Sequence, residues 1–452
     1  MGEALESKHA QTQLQAINKA LASGMFVHVR KMLNSLPPGD IALLLESSPA
    51  RTRSELWQLL DADFYGDVIE ELSEDVRNGI IRQMVPEKVV DALEDMDTDD
   101  LAETLSSLPE SVSQDVLMSM DEQDRQRAEQ ALSYGEDTAG FIMNTDTITL
   151  RPDVSVDVIL RYLRLKGELP EDTDTFYVVS RTDRLIGKVP VTRLLTAVPD
   201  ITVDELMDEE PEAIPVHMPE TDVAKLFERY DWISAPVVDE HHHLVGRITI
   251  DDVVDIIRED AEHSMMSMAG LDDEEDTFAP VMQSTQRRSV WLAVNLVTAL
   301  MAAAVSDLFE ATLSQMAVLA ILNTIVPSMG GVAGNQTLTL VIRGMALGHV
   351  SPSNSRWLVS KELAIGALNG IIWALLIASV IALWKQDFAL GGVIAFAMMV
   401  NMVAAGLAGA TLPIIMKKMK IDPALAGSVI LTTITDVVGI FAFLGTATLL
   451  LL

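Results

Sequence analysis

Ala424-Leu425-Ala426-Gly427-Ser428-Val429-Ile430-Leu431-Thr432-Thr433-Ile434-Thr435-Asp436-Val437-Val438-Gly439-Ile440-Phe441-Ala442-Phe443-Leu444 decides the architecture of this 452-residue chain. It is apolar apart from Ser428, Thr432, Thr433, Thr435 and Asp436, and about 20 predominantly apolar residues cross a bilayer core as a helix. Asp436 is the only charged residue between Pro423 and Leu452. Four further stretches meet the same length requirement: about Val290 to Val305, Thr312 to Leu347 with an interruption, Leu358 to Trp384, and Leu390 to Met416. The expectation is a membrane domain of five helices over 287–452.

Charge separates this domain from the rest. From Arg287 onward there are 9 basic and 6 acidic residues, which leaves 23 basic and 60 acidic ones in the first 286. That acidic portion disfavours nucleic acid, because phosphate binding needs a basic face, and it favours cations. The chain has no cysteine, hence no disulfide and no thiolate ligand. Met1 to Ala20 is polar and lacks the apolar core of a signal peptide, so a cytosolic amino terminus is expected. Basic residues collect on the cytosolic side of a membrane. With that terminus inside, Arg287, Arg288, Arg343, Arg356, Lys361, Lys417, Lys418 and Lys420 lie inside and only Lys385 outside. The carboxyl end then falls outside. Five helices enclose an aqueous path poorly, and a symmetric homodimer is the expected remedy.

A carboxylate at bilayer depth is costly and normally faces water or a cation. Thr432, at i, i−4 spacing from Asp436, shares its helical face, and Thr433 and Thr435 add oxygen atoms. Pro327-Ser328-Met329-Gly330-Gly331-Val332-Ala333-Gly334-Asn335-Gln336 interrupts the second span. A proline and three glycines in ten residues predict irregular backbone, which at this depth lines a cavity or is buried in protein. Asn335 and Gln336 favour an ion path there. Oxygen ligands without Cys or His describe a hard cation such as Mg2+, Mn2+ or Ca2+.

Residues 1–134 carry apolar pairs at helical spacing between acidic or Ser/Thr caps, as in Asp97-Thr98-Asp99-Asp100. They predict stacked short helices resembling a superhelix. From about Gly140 the pattern becomes βαββα, over 135–200 and again over 201–258, an internal duplication. Pro236-Val237-Val238-Asp239-Glu240 and Leu244-Val245-Gly246-Arg247-Ile248-Thr249-Ile250-Asp251-Asp252 look like a CBS domain. His241-His242-His243 fall in the predicted hairpin turn, where adjacent side chains diverge, and read as turn residues rather than as a metal site. Residues 259–286 read as a connecting helix and linker.

This order of parts resembles the MgtE family of magnesium transporters and channels along essentially the whole chain. Its most specific carriers are Gly330-Gly331-Val332-Ala333-Gly334-Asn335-Gln336 and Asp422-Pro423-Ala424 leading to Thr432-Thr433-Ile434-Thr435-Asp436. The resemblance implies a homodimer importing Mg2+ along the second and fifth spans, with Asp436, Thr432 and Asn335 in the pore. It implies regulatory Mg2+ at Asp67, Asp99, Glu103, Asp231, Asp252 and Asp255, which closes the pore from the cytosol. Val332 and Val429 stand where the family commonly has Asn and Pro. His263, Ser264 and Met265 offer few carboxylates on the connecting helix, and Leu194 replaces an acid that could meet a nucleotide ribose, which argues against ATP binding. A cation-coupled carrier or exporter of Mg2+, Co2+ or Mn2+ remains the alternative, and a non-transporting nucleotide sensor a further one. No nucleophile and base pair, P-loop or hydrolase motif points to an enzyme.

Overall fold

The computed structural model describes residues 17, 19–21, 23–93, 96–167, 169–170, 172–271 and 275–451; side chains 123 and 124 are outside that description. Most of the polar amino terminus and three linker residues, 272–274, therefore lie outside it. The described residues form two units, 1–261 with 274–280, and 262–273 with 281–452.

The first unit opens with short helices: α1 (Phe26–Leu33), α2 (Pro38–Glu46), α3 (Ala50–Trp57), α4 (Tyr65–Glu70), α5 (Glu74–Ile81), α6 (Pro86–Leu93), α7 (Thr98–Ser107), α8 (Glu110–Ser119) and α9 (Glu122–Leu132). Prolines at or just before the starts of α2, α3, α6 and α8 set φ where a helix has no N–H to satisfy. One apolar stripe per helix, such as Val76, Ile80 and Ile81 on α5, closes over a shared core with Leu33, Leu44, Leu56 and Val89. Among the described residues of this region no strand occurs, as the sequence pattern predicts. Buried Arg53 donates to Leu45 O (3.0 Å), Ser48 O (3.1 Å) and the carboxylate of Asp276 (2.9 Å) in the segment that precedes the first span.

The duplication is visible in β-sheet register. β1 (Thr149–Leu150), α10 (Val156–Lys166), β2 (Thr175–Val179), β3 (Leu185–Pro190), α11 (Val191–Thr196), α12 (Val203–Leu206) and β4 (Asp208–Glu209) form one module. β5 (Ile214–Pro215), α13 (Glu220–Tyr230), β6 (Ser234–Val238), β7 (Leu244–Thr249) and α14 (Ile250–Met268) form the other. In both, a parallel pair precedes an antiparallel one, and the register slips at the same place, Val178/Val179 and Val237/Val238. The copies exchange leading segments: Ala139 and Met143 pack in the second module, Val203 and Leu206 in the first. Sequence order and spatial order therefore differ at the module boundaries. α14 continues from the second module to Met268 without a break at 258.

Among the described residues the second unit holds five helices long and apolar enough to cross a membrane. They are α15 (Val281–Asp307); α18 (Ile325–Ala346), entered through α16 (Glu310–Gln315) and α17 (Ala317–Leu322); α19 (Ser355–Lys385); α20 (Phe388–Lys418); and α21 (Pro423–Leu450). One expectation is corrected here. The stretch Pro327–Gln336 is not irregular: α18 runs through it unbroken, and the interruptions lie earlier, at Met316 and at Asn323–Thr324. Pro327 is the third residue of α18, where its missing N–H would have had no partner within the helix. The glycines stay helical because neighbouring helices pack directly on them. A methyl at Gly330 would lie 2.1 Å from Asn401 Nδ2, and one at Gly334 3.0 Å from Leu431.

Candidate ion pathway and cation-sensing cluster

α18 and α21 meet where Gly331 faces Thr435 and Gly334 faces Leu431. Thr435 is fully buried in this seam. Asp436 and Asn335 each follow a seam residue, and both are half-buried. No hydrogen bond joins Asp436, Thr432 and Asn335 to one another among the described residues, and the Asp436 carboxylate has no charged partner there. The threonines spend their single hydroxyl protons on their own helix: Thr432 donates to Ser428 O (2.8 Å), Thr433 to Val429 O (2.8 Å) and Thr435 to Thr432 O (3.0 Å). Their oxygen lone pairs remain as acceptors, the form a cation requires.

Two polar side chains of this domain escape the sequence reading. Asn401 on α20 is fully buried and donates from Nδ2 to Val326 O (2.8 Å), while its Oδ1 has no partner. Asn401 fills the gap left by Gly330 and Gly439. Glu362 on α19, also buried, accepts from Thr337 Oγ1 (3.2 Å) and pairs with Lys361 (3.3 Å). A single Asn or Glu in a long apolar helix carries no periodic signal. His263, which offered no carboxylate, instead meets Asp422 at 3.2 Å, the residue that caps the amino end of α21.

In the first unit, α7 faces the start of α14. Asp252 lies within hydrogen-bonding reach of Asp99, whose Oδ1 is buried and unpartnered. Burial, with Asp252, Asp100 and Asp97 around it, holds Asp99 well above the usual carboxylate range. Burial together with Glu70, Asp252 and Glu103 pushes Asp100 up to about 8. Burial raises Asp252 to about 6 against the hydrogen bonds it accepts from Thr249 N (3.0 Å) and Oγ1 (2.8 Å). Glu220 and Glu259 rise to about 7, mainly by burial and then by neighbouring acids, and Asp255 is raised by burial. Glu103 pairs with buried Arg77 (2.5 Å). Asp99, Glu103, Asp252 and Asp255 thus lie in one cluster. Asp67 and Asp231 are exposed, and neither is among the charges acting on these acids; Asp231 caps α13 in the left-handed conformation (φ 53°). Asp100, Glu220 and Glu259 escape the sequence reading, although Asp252, Asp255 and Glu259 at i, i+3, i+7 mark one helical face. Arg77 on Glu103 and Arg258 on Asp255 (3.1 Å) offset part of the cluster's charge, and the orphaned buried oxygen of Asp99 among carboxylates is a donor set that suits a hard divalent cation.

These shifts give a pH dependence. Unfolded carboxyls lose their protons near pH 4, whereas the folded cluster keeps protons up to between about 6 and 8. Stability from this source is fully present below about pH 4 and lost as the pH rises through about 8. In chelator, the thermal midpoint of the full chain should fall by at least about 4 °C between pH 5.5 and 8. A midpoint that rises over this range would contradict the burial described.

Five apolar helices joined to an acidic helical region and a duplicated βαββα pair define a polytopic membrane protein with a large water-soluble part. The MgtE model, described as a divalent cation transporter, matches residues 323–446; the MgtE intracellular N domain matches 36–137 and the CBS domain 203–259. The chain belongs to the MgtE family. It is 29% identical to the magnesium transporter MgtE of Bacillus subtilis (strain 168), an alignment that covers 95% of each chain. It is 27% identical to that of Thermus thermophilus over 96% of this chain and 98% of the other. A crystal structure of the cytosolic domain of the Mg2+ channel MgtE in complex with ATP superposes with a TM-score of 0.51 at 28% identity, covering 54% of this chain and 99% of that one.

Proposed function

We propose that this chain is a homodimeric Mg2+ importer of the inner or plasma membrane, with its amino terminus in the cytosol and its pore centred on Asp436. The observation that carries the pore is a carboxylate inside an apolar helix, unpartnered among the described residues and beside threonine oxygens aligned along the same helix. Asp436, with Thr432 and Asn335, holds the ion while it passes with most of its water shell, since Mg2+ dehydrates reluctantly. Cytosolic Mg2+ binds among Asp99, Glu103, Asp252 and Asp255, with Asp100, Glu220 and Glu259 adding charge, and closes the pore. The mutual repulsion of buried carboxylates supports this: a divalent cation turns an unfavourable cluster into a bridge between α7 and α14. ATP is no part of the proposal, because Leu194 lies in the hydrophobic core of the first module, 1% exposed, and offers no group to a ribose.

Currents through the full chain in planar bilayers test the reading, since an alternating-access carrier produces no unitary currents. Mg2+ currents should appear at low cytosolic-side Mg2+ and stop at millimolar levels. Asp99→Asn with Asp252→Asn should raise the half-closing concentration by about tenfold, a coupling of about 1.4 kcal/mol. An unchanged closing curve would remove this cluster from regulation.

A further inference from the structure

The turn between β6 and β7 is not used by the transport reading. Asp239 Oδ1 accepts from the backbone N–H of His241 (2.8 Å) and of His243 (2.8 Å), which fixes the carboxylate over the turn. His242 adopts φ +66°. That reversal brings the flanking side chains to one side: the rings of His241 and His243 stack with centroids 5.8 Å apart and planes 16° apart. The sequence pattern predicts that adjacent histidines diverge, but it does not separate His241 from His243, and these two come together. His243 Nδ1 lies 2.9 Å and His241 Nδ1 4.0 Å from Asp239 Oδ2. One ligand atom from each residue lies within 4.8 Å of the other two.

We propose that Asp239, His241 and His243 bind a divalent transition-metal ion of the zinc, cobalt or nickel class. The two imidazoles are borderline ligands that select such ions over Mg2+, which takes oxygen ligands and keeps its waters, and the carboxylate completes a set that zinc-type ions accept. Ligand atoms around a tetrahedral ion with bonds of about 2.0–2.1 Å are roughly 3.3–3.5 Å apart. The three groups need to close by little more than about 1 Å, and His241 is exposed, so its ring has room to turn. The two backbone N–H groups on Oδ1 orient Asp239 while Oδ2 faces the rings, the outer-shell support typical of metal sites. Three protein ligands leave one position for water. The turn is also joined to the first module, through Leu185 N to His242 O (3.0 Å) and Leu244 N to Asp183 O (3.1 Å). A bound ion braces that junction.

The test is Co2+ titration of the full chain, without a histidine tag, in detergent with saturating Mg2+ to fill hard-cation positions. Visible d–d absorption should report a single Co2+ per chain that is displaced by Zn2+ and not by a further thousandfold excess of Mg2+. His241→Asn with His243→Asn should remove this absorption. Asp239→Asn, whose amide oxygen can keep the turn, should weaken binding at least tenfold. The proposal is overturned if no Co2+ binds under saturating Mg2+, or if the double variant binds it as the unaltered chain does.

Discussion

Asp436→Asn is expected to lower Mg2+ flux in proteoliposomes at least about a hundredfold while the protein still folds. The substitution keeps volume, polarity and helix and removes only the charge. At about 4 Å and an effective dielectric of about 20, a carboxylate and a divalent ion attract each other by about 8 kcal/mol. Intervening water reduces this, but a loss of about 3 kcal/mol already corresponds to the hundredfold. An amide at this position accepts weakly and cannot offset the desolvation of the ion. The same variant should have an unchanged thermal midpoint, because the described residues give Asp436 no structural partner. Flux at the unaltered level would mean that the path lies elsewhere, and a collapsed fold would mean that the carboxylate serves packing.

The other large effect concerns Gly330. Its added methyl would stand 2.1 Å from Nδ2 of Asn401, which is fully buried and held by Val326 O. Gly439 blocks retreat on the opposite side, since a methyl there would lie 2.9 Å from the same atom. Gly330→Ala should therefore destabilise the membrane unit by about 1–3 kcal/mol, the usual range for overpacking, and reduce flux by displacing α18. Removing the obstacle should reverse part of this: Gly330→Ala with Asn401→Ala should be more stable than the sum of the two single changes. Strict additivity would show that Asn401 does not wedge the three helices together.

The five spans are legible because length and apolarity are properties of the string itself, and Asp436 is legible as one charge in such a run. The continuity of α18 is not. The cost of a proline depends on its position in a helix, and that position is set by the break at Asn323–Thr324, which has no compositional mark. The glycines around it read as irregular backbone, whereas their role in the fold is to admit Asn401 and Leu431. In the acidic region the resemblance indicates Asp67, Asp99, Glu103, Asp231, Asp252 and Asp255, of which Asp67 and Asp231 are exposed and stand apart from the cluster. Asp100 and Glu220 are hidden among 60 acidic residues, because only tertiary burial distinguishes a solvated carboxylate from a buried one. The pairing of His241 with His243 is hidden for a related reason: the divergence of adjacent side chains says nothing about the alternate pair, which the backbone reversal at His242 brings together.

The protonated acids between α7 and α14 carry one more implication. Near neutrality Asp100, Glu220 and Glu259 hold protons for part of the time, and a metal ion entering among them must displace those protons. On the proposed reading, closure is an exchange reaction that returns acid to the cytosol. What such a cluster gauges is a ratio, magnesium activity against a power of proton activity. On that same reading, a cell that acidifies would find the proposed pore open at magnesium levels that kept it shut before.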